Sequence, residues 1–127
     1  QIEATTVALR DAAVKAHFTE PDVEVLPRKV SGAEISTREQ ATPENNPYKD
    51  GLPPEIQEKL ARRYADIFAL FVKYQDVIDR VTFWGVTDAD SWLNNWPVRG
   101  RTNYPLLFDR AGKPKPAFDA VLKTAKQ

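Results

Sequence analysis

Val81-Thr82-Phe83-Trp84-Gly85-Val86-Thr87-Asp88-Ala89-Asp90-Ser91-Trp92-Leu93-Asn94-Asn95-Trp96-Pro97 changes character midway, from a β-branched and aromatic run to a polar stretch of Asp, Ser and Asn. The first part reads as a strand and the second as a loop at its mouth. All three tryptophans of the chain fall inside this stretch. Two readings compete for them. In one they form an aromatic mini-core under a long loop. In the other they line a sugar site, where flat indole faces stack on the C–H faces of a ring and amides, carboxylates and guanidinium groups take its hydroxyls. A second segment, Ala16-His17-Phe18-Thr19-Glu20-Pro21-Asp22-Val23-Glu24-Val25-Leu26-Pro27, favours the sugar site because it sets a carboxylate at the end of another short strand.

Upstream of Val81 lies the clearest helix. Pro53 and Pro54 suit its start, and Ile56, Leu60, Tyr64, Ile67, Phe68, Phe71 and Tyr74 recur at helical spacing. Glu58, Lys59, Arg62, Arg63 and Asp66 cover its solvated face. Downstream, the loop runs to about Pro105, and a closing helix over 116–126 presents Phe118, Val121 and Leu122. Toward the start of the chain, residues 27–54 are rich in Pro, Gly, Ser, Asn and charge and read as one long loop. Before it come a short strand over 14–19 and a helix over 2–13, the latter weakened by β-branched Thr5, Thr6 and Val7. Strands that alternate with helices pair in parallel. Both suspected functional segments then lie just past the C-terminal ends of strands, where (β/α)₈ barrels keep their active sites.

Length and composition set limits. The chain has 127 residues, enough for one modest domain, whereas a full (β/α)₈ barrel needs about 250. Acidic and basic residues cancel at 18 each, so no electrostatic footprint points to nucleic acid or an anionic membrane. The absence of cysteine removes thiolate metal sites and disulfides, and a single histidine removes a multi-histidine site. Asp88 and Asp90 are a pair without a further acidic cluster, which suits loop fixing better than a metal. No apolar run reaches the roughly 20 residues of a membrane span, and the opening residues do not read as a signal peptide. The expectation is a chain cut from something longer.

Longer motifs make that expectation specific. Asn46-Pro47-Tyr48-Lys49-Asp50-Gly51-Leu52-Pro53-Pro54, the ordered block from Phe83 to Asp109 and Lys113-Pro114-Lys115-Pro116-Ala117-Phe118 together resemble the C-terminal part of a family 10 glycoside hydrolase, the endo-β-1,4-xylanases. The resemblance covers nearly the whole chain. It implies an α/β fold, with residues 1–127 forming the C-terminal part of a (β/α)₈ TIM barrel: about the last two βα units and a preceding helix. It implies no cofactor and no metal, xylan or xylo-oligosaccharides as partner, and a secreted or periplasmic parent enzyme. Phe18-Thr19-Glu20 followed by Asp22 looks like the family's strand-seven motif. By that likeness Glu20 is the nucleophile, and Asp22 belongs to a hydrogen-bond network holding a neighbouring histidine. Retaining glycosidases set two carboxyl groups roughly 5–5.5 Å apart, one attacking the anomeric carbon and the other protonating the leaving oxygen. Trp84 and Trp92 look like the tryptophans lining the glycone subsites, with Trp84 as floor and Trp92 covering the sugar from the side. If the strand alternates, Thr82, Trp84 and Val86 face the barrel axis together.

The remaining residues carry lesser expectations. Asn95 and Arg99 are candidates for bonding sugar hydroxyls at the rim, or for fixing the loop through its own carbonyls, the reading preferred for Arg101. Trp96 packs the loop. Strand alternation turns His17 away from the side Glu20 faces, toward a packed place between strand and helix, and Glu24 is expected at the surface. Where the family has leucine between the glutamate and the aspartate, this chain has Pro21, which biases Glu20 toward extended backbone. The stretch from Arg10 to Ala16 lacks the family's glycine-containing turn. Nothing here matches the family's strand-four segment with the acid/base glutamate, nor its strand-six histidine. The parent activity implied is therefore endo-xylanase, with this chain supplying the nucleophile and the glycone-side tryptophans. The alternative is a non-catalytic fragment that binds xylan or self-associates. The partner expected beyond sugar is the missing N-terminal part of the barrel, or a second copy.

Overall fold

The computed structural model describes residues 1–27 and 39–127. Its elements run in the order α1 (Ile2–Asp11), β1 (Ala16–Thr19), α2 (Pro54–Lys73), β2 (Ile78–Thr82) and α3 (Pro116–Ala125), with 3₁₀ turns at Asp88–Asp90 and Trp92–Asn94. Most of the expected long loop therefore separates β1 from α2, and its residues 28–38 lie outside the described residues.

The two strands pair in parallel, with Phe18 opposite Val81 and Thr19 opposite Thr82. Helix α2 connects them because its apolar stripe has one place to go. Ile67, Phe71 and Tyr74 are buried with Ala16, Val77 and Ile78 under the strands. The Phe71 ring lies 5.0 Å from that of Phe18 and 5.2 Å from that of Phe68. One turn earlier, Leu60 and Tyr64 turn toward α3 and pack with Ala117 and Val121. Leu122, assigned to the apolar face of the closing helix, is 40% exposed instead.

Two boundaries differ from expectation, each for a local reason. Helix α1 stops at Asp11, because Ala13 enters the left-handed region at φ 56°. There it does the reversal that glycine usually does at a helix end. Its N–H reaches Arg10 O at 2.9 Å, and the N–H of Val14 reaches Leu9 O at 3.0 Å. Strand β2 occupies Ile78–Thr82 rather than 81–86. It begins early because Val77 and Ile78 are needed in the core, where Val77 O accepts the N–H of Ala16 at 2.9 Å. It ends early because its partner leaves. The N–H of Glu20 makes the last ladder bond, to Thr82 O at 2.9 Å, and Pro21 has no N–H with which to continue. Trp84 thus stands beyond the strand, on the first turn of the loop, and not on an alternating strand face.

Candidate functional site

Glu20 and Trp84 follow the last paired residues, Thr19 and Thr82, by one and two positions. The end of the two-stranded sheet thereby sets the carboxylate-bearing segment beside the tryptophan loop. Glu20 is exposed, with φ at 58°. That is opposite to the extended backbone expected of a residue before proline. A non-glycine residue in the left-handed region carries strain that its neighbours must hold. Here the Thr82 carbonyl holds the Glu20 N–H while the chain turns out of the ladder.

Asp22 is the hinge of the arrangement. The indole N–H of Trp92 donates to its Oδ2 at 3.0 Å. The resemblance implies a histidine as its partner; within this chain the partner is a tryptophan. Asp22 Oδ1 is buried and has no hydrogen-bond partner among the described residues. Burial holds the carboxyl above the ordinary aspartate range, opposed by the Trp92 indole and by the backbone N–H of Trp84. Asp22 therefore senses both tryptophans. Their rings stand 6.3 Å apart at 62° to one another. Trp84 is 56% exposed and Trp92 half-buried. A half-buried indole set at an angle to an exposed one makes an open corner, not an aromatic core. Trp96 is 41% exposed and so is only partly packed.

The loop that carries these rings is fastened from beneath by polar groups. Asp88 is fully buried: Oδ2 accepts from Lys115 Nζ at 2.9 Å and Oδ1 from the Leu106 N–H at 2.9 Å. Lys115 Nζ also donates to Tyr104 O at 2.8 Å and to Leu106 O at 2.7 Å. Burial raises the Asp88 carboxyl and lowers the Lys115 ammonium, and each partner's charge works against that shift. Asn94 donates to Asp88 O at 2.8 Å and accepts from the Asn103 N–H at 2.8 Å. Gly85 allows the loop's close return, since a Cβ there would sit 2.8 Å from Leu106 Cδ1.

Glu24 is not a surface residue. Its carboxylate pairs with the fully buried Arg101 guanidinium and receives Asn103 Nδ2 at 3.4 Å. Arg101 also donates to Pro27 O at 3.5 Å, so its side chain reaches the segment after β1 and not the loop's own carbonyls. Asn95 accepts the Gly100 N–H at 3.3 Å through Oδ1 and is exposed. Arg99 makes backbone bonds, its N–H to Glu39 O and its carbonyl from the Ala41 N–H, both at 2.9 Å, and its residue is exposed. His17 is exposed, not packed between strand and helix, because among the described residues no third strand or helix covers that face of β1.

Sequence reasoning missed three of these pairings: Asp22 with Trp92, Glu24 with Arg101, and Asp88 with Lys115. Only the last left a signal, a lysine held between Pro114 and Pro116, where its backbone path is constrained. Among the described residues no group of three or more His, Asp or Glu side chains could hold a metal, and no helix is long and apolar enough to cross a membrane. What the site offers is one accessible carboxylate, one buried carboxyl and an angled aromatic corner.

Known proteins resemble this chain in sequence and fold. An endo-1,4-beta-xylanase A of Xylanibacter ruminicola is 48% identical over 114 residues, which are 88% of this chain and 31% of that protein. An endo-1,4-beta-xylanase of Geobacillus stearothermophilus is 54% identical over 68 residues, 54% of this chain and 21% of that one. A GH10 endoxylanase structure retrieved from sugarcane soil metagenome superposes with a TM-score of 0.91 at 54% identity, covering 96% of this chain and 36% of that one. The chain thus spans about a third or less of these relatives. The sequence model of glycosyl hydrolase family 10 matches residues 1–124, and the chain belongs to that family as a portion of its (β/α)₈ barrel.

Proposed function

We propose that the chain is the part of a retaining endo-β-1,4-xylanase that supplies the nucleophile, Glu20, and the glycone-side platform, Trp84 and Trp92. The observation that carries this reading is the link through Asp22. One carboxyl two residues beyond Glu20 holds the Trp92 indole at 3.0 Å, so the attacking group and the sugar platform are set by a single short segment. A sugar laid in the corner of the two rings meets Glu20 at the end of β1. Exposure leaves the Glu20 carboxyl open to an incoming sugar, as a nucleophile must be.

The reaction is then a two-step displacement with net retention. Glu20 attacks the anomeric carbon, the bond to the leaving oxygen breaks, and a glycosyl-enzyme forms that water later hydrolyses. Asp22 touches no reacting atom; it positions Trp92. Asn95 and Arg99 stand at the rim, where they can reach hydroxyls of further sugar units. The acid/base carboxyl comes from the rest of the barrel, since the chain spans about a third of the xylanases it matches. General acid help is worth about 10²–10⁴-fold, so the chain alone is a poor catalyst for natural xylan. Xylan is too large to cross a membrane, which puts the parent enzyme outside the cytoplasm.

An activated leaving group removes the need for the acid and lets Glu20 be tested by itself. A 2-deoxy-2-fluoro-xylobioside with a dinitrophenolate leaving group should trap the glycosyl-enzyme. The expected result is a mass increase mapped to the peptide holding Glu20 and absent in Glu20→Gln. No label, together with xylo-oligosaccharide binding that Trp84→Ala abolishes, would overturn the catalytic reading in favour of a sugar-binding fragment. Neither label nor binding, with concentration-dependent oligomers, would make it a self-associating piece of barrel.

A further inference from the structure

Two ties cross from the segment after β1 to the loop after β2, and they differ in kind. Asp22 receives Trp92 in a single neutral-donor bond. Glu24, two residues on, receives Arg101 and Asn103. Arg101 has a fully buried side chain and also reaches Pro27 O at 3.5 Å, so it grips the segment at two points. Asn103 connects the grip to the ring-bearing turn, because its Nδ2 lies 3.5 Å from Leu93 O, next to Trp92. The Arg101 N–H donates to Asn94 O at 2.8 Å, two residues past Trp92.

We propose that the Glu24–Arg101 pair, with Asn103, is a positioning strut that sets the angle between Trp92 and Trp84. The single Asp22–Trp92 bond can rotate about its axis; a second tie two residues away removes that freedom. Glu24 and Arg101 thus act through Asp22 and Trp92 and do not touch the sugar. Their effect on sugar binding rests on the function proposed above, whereas their effect on the rings does not.

That separation defines the experiment. Two indoles 6.3 Å apart at 62° couple and give a circular dichroism couplet in the indole band, which Trp84→Phe assigns by removing it. Glu24→Gln and Arg101→Lys are measured well below their unfolding temperatures, beside Phe71→Leu, which loosens the apolar core beneath the strands. The expected result is a couplet that loses most of its intensity in both strut variants and keeps it in Phe71→Leu. Affinity for a xylo-oligosaccharide should fall about tenfold in the strut variants, as misplaced binding groups cost. A wild-type couplet in either strut variant, or an equal loss in Phe71→Leu, would overturn the proposal. Arg101→Lys keeps a cation in the buried site and serves where Glu24→Gln does not fold. Failure of the wild-type chain to bind the sugar would count against the proposed function and leave the couplet to judge the strut.

Discussion

Around Phe71 the neighbours are rings and aliphatic groups, with Phe18 and Phe68 at 5.0 and 5.2 Å between centroids. Around Asp88 they are an ammonium, an amide N–H and, through Lys115, two carbonyls. The first region lies beneath the strands and the second beneath the loop that carries Trp84 and Trp92. Non-directional packing tolerates small shifts, since a side chain that draws back from one neighbour settles against another. A buried polar network has less give: its donors need acceptors at set distances and angles, and removing one partner strands another. The region that must hold two rings and a carboxylate in register is the one built from directional bonds.

Breaking that network should have the largest effect. Removing one partner of a buried pair leaves an uncompensated charge, so Asp88→Ala should cost about 3–5 kcal/mol. The double variant Asp88→Leu/Lys115→Met sharpens the point. Replacing a buried ion pair with apolar residues is often neutral or stabilising. Here it would orphan Leu106 N–H, Tyr104 O and Leu106 O together, at about 1–3 kcal/mol each. Denaturant melts should therefore find the double variant no more stable than Asp88→Ala. Recovery to wild-type stability would mean the backbone groups find other partners and the pair is an ordinary ion pair.

Tyr64 joins the two regions, and its removal tests how far they are separate. Its ring packs against α3, while its hydroxyl donates to Pro105 O at 2.5 Å and accepts the Val23 N–H at 3.3 Å. Burial pushes the phenol up, so it stays protonated and able to donate. Tyr64→Phe keeps the ring and orphans both backbone groups, for an expected loss of about 1–3 kcal/mol. Faster amide exchange at Val23 and Leu106, with unchanged exchange at Phe18, would place the damage on the polar side alone. The matching change on the apolar side is Ile67→Val, which should cost about 0.5–1.5 kcal/mol and leave the indole couplet as it is.

The contrast also explains what could be read from the sequence. Apolar periodicity reports apolar burial, so α2 and the run Ile67, Phe71, Tyr74 were legible to within a residue of their bounds. The family motifs carried Glu20, Trp84 and Trp92 as candidates. Polar networks leave no period. Glu24 and Arg101 look like any other charges of a chain with 18 of each sign, and only the folded geometry says that Arg101 is buried and paired with Glu24. Backbone strain was equally hidden. Pro21 argues for an extended Glu20, but the ladder ends there and the chain must turn, so Glu20 takes φ 58°. The β2 boundary failed for a related reason, since a β-branched and aromatic run cannot report where its partner strand stops.

The smallest expected effect concerns Asp22, and it has a sign that depends on pH. Burial raises its carboxyl, so the folded chain holds that proton to higher pH than the unfolded chain does. Stability from this group is then fully present below the ordinary aspartate range, and it declines as pH rises through the raised value. Asp22→Asn keeps an oxygen for the Trp92 indole and removes the titration. Unfolding temperatures of the two proteins should draw together as pH falls below the carboxylate range. At neutral pH the asparagine variant should be the more stable by less than any change above. A wild-type advantage at neutral pH would mean that the ionised carboxylate is favoured in the fold. The Trp92 bond and the pull of the Trp84 backbone N–H would then outweigh desolvation, and the corner of the two tryptophans would be held by a charge and not by a neutral acid.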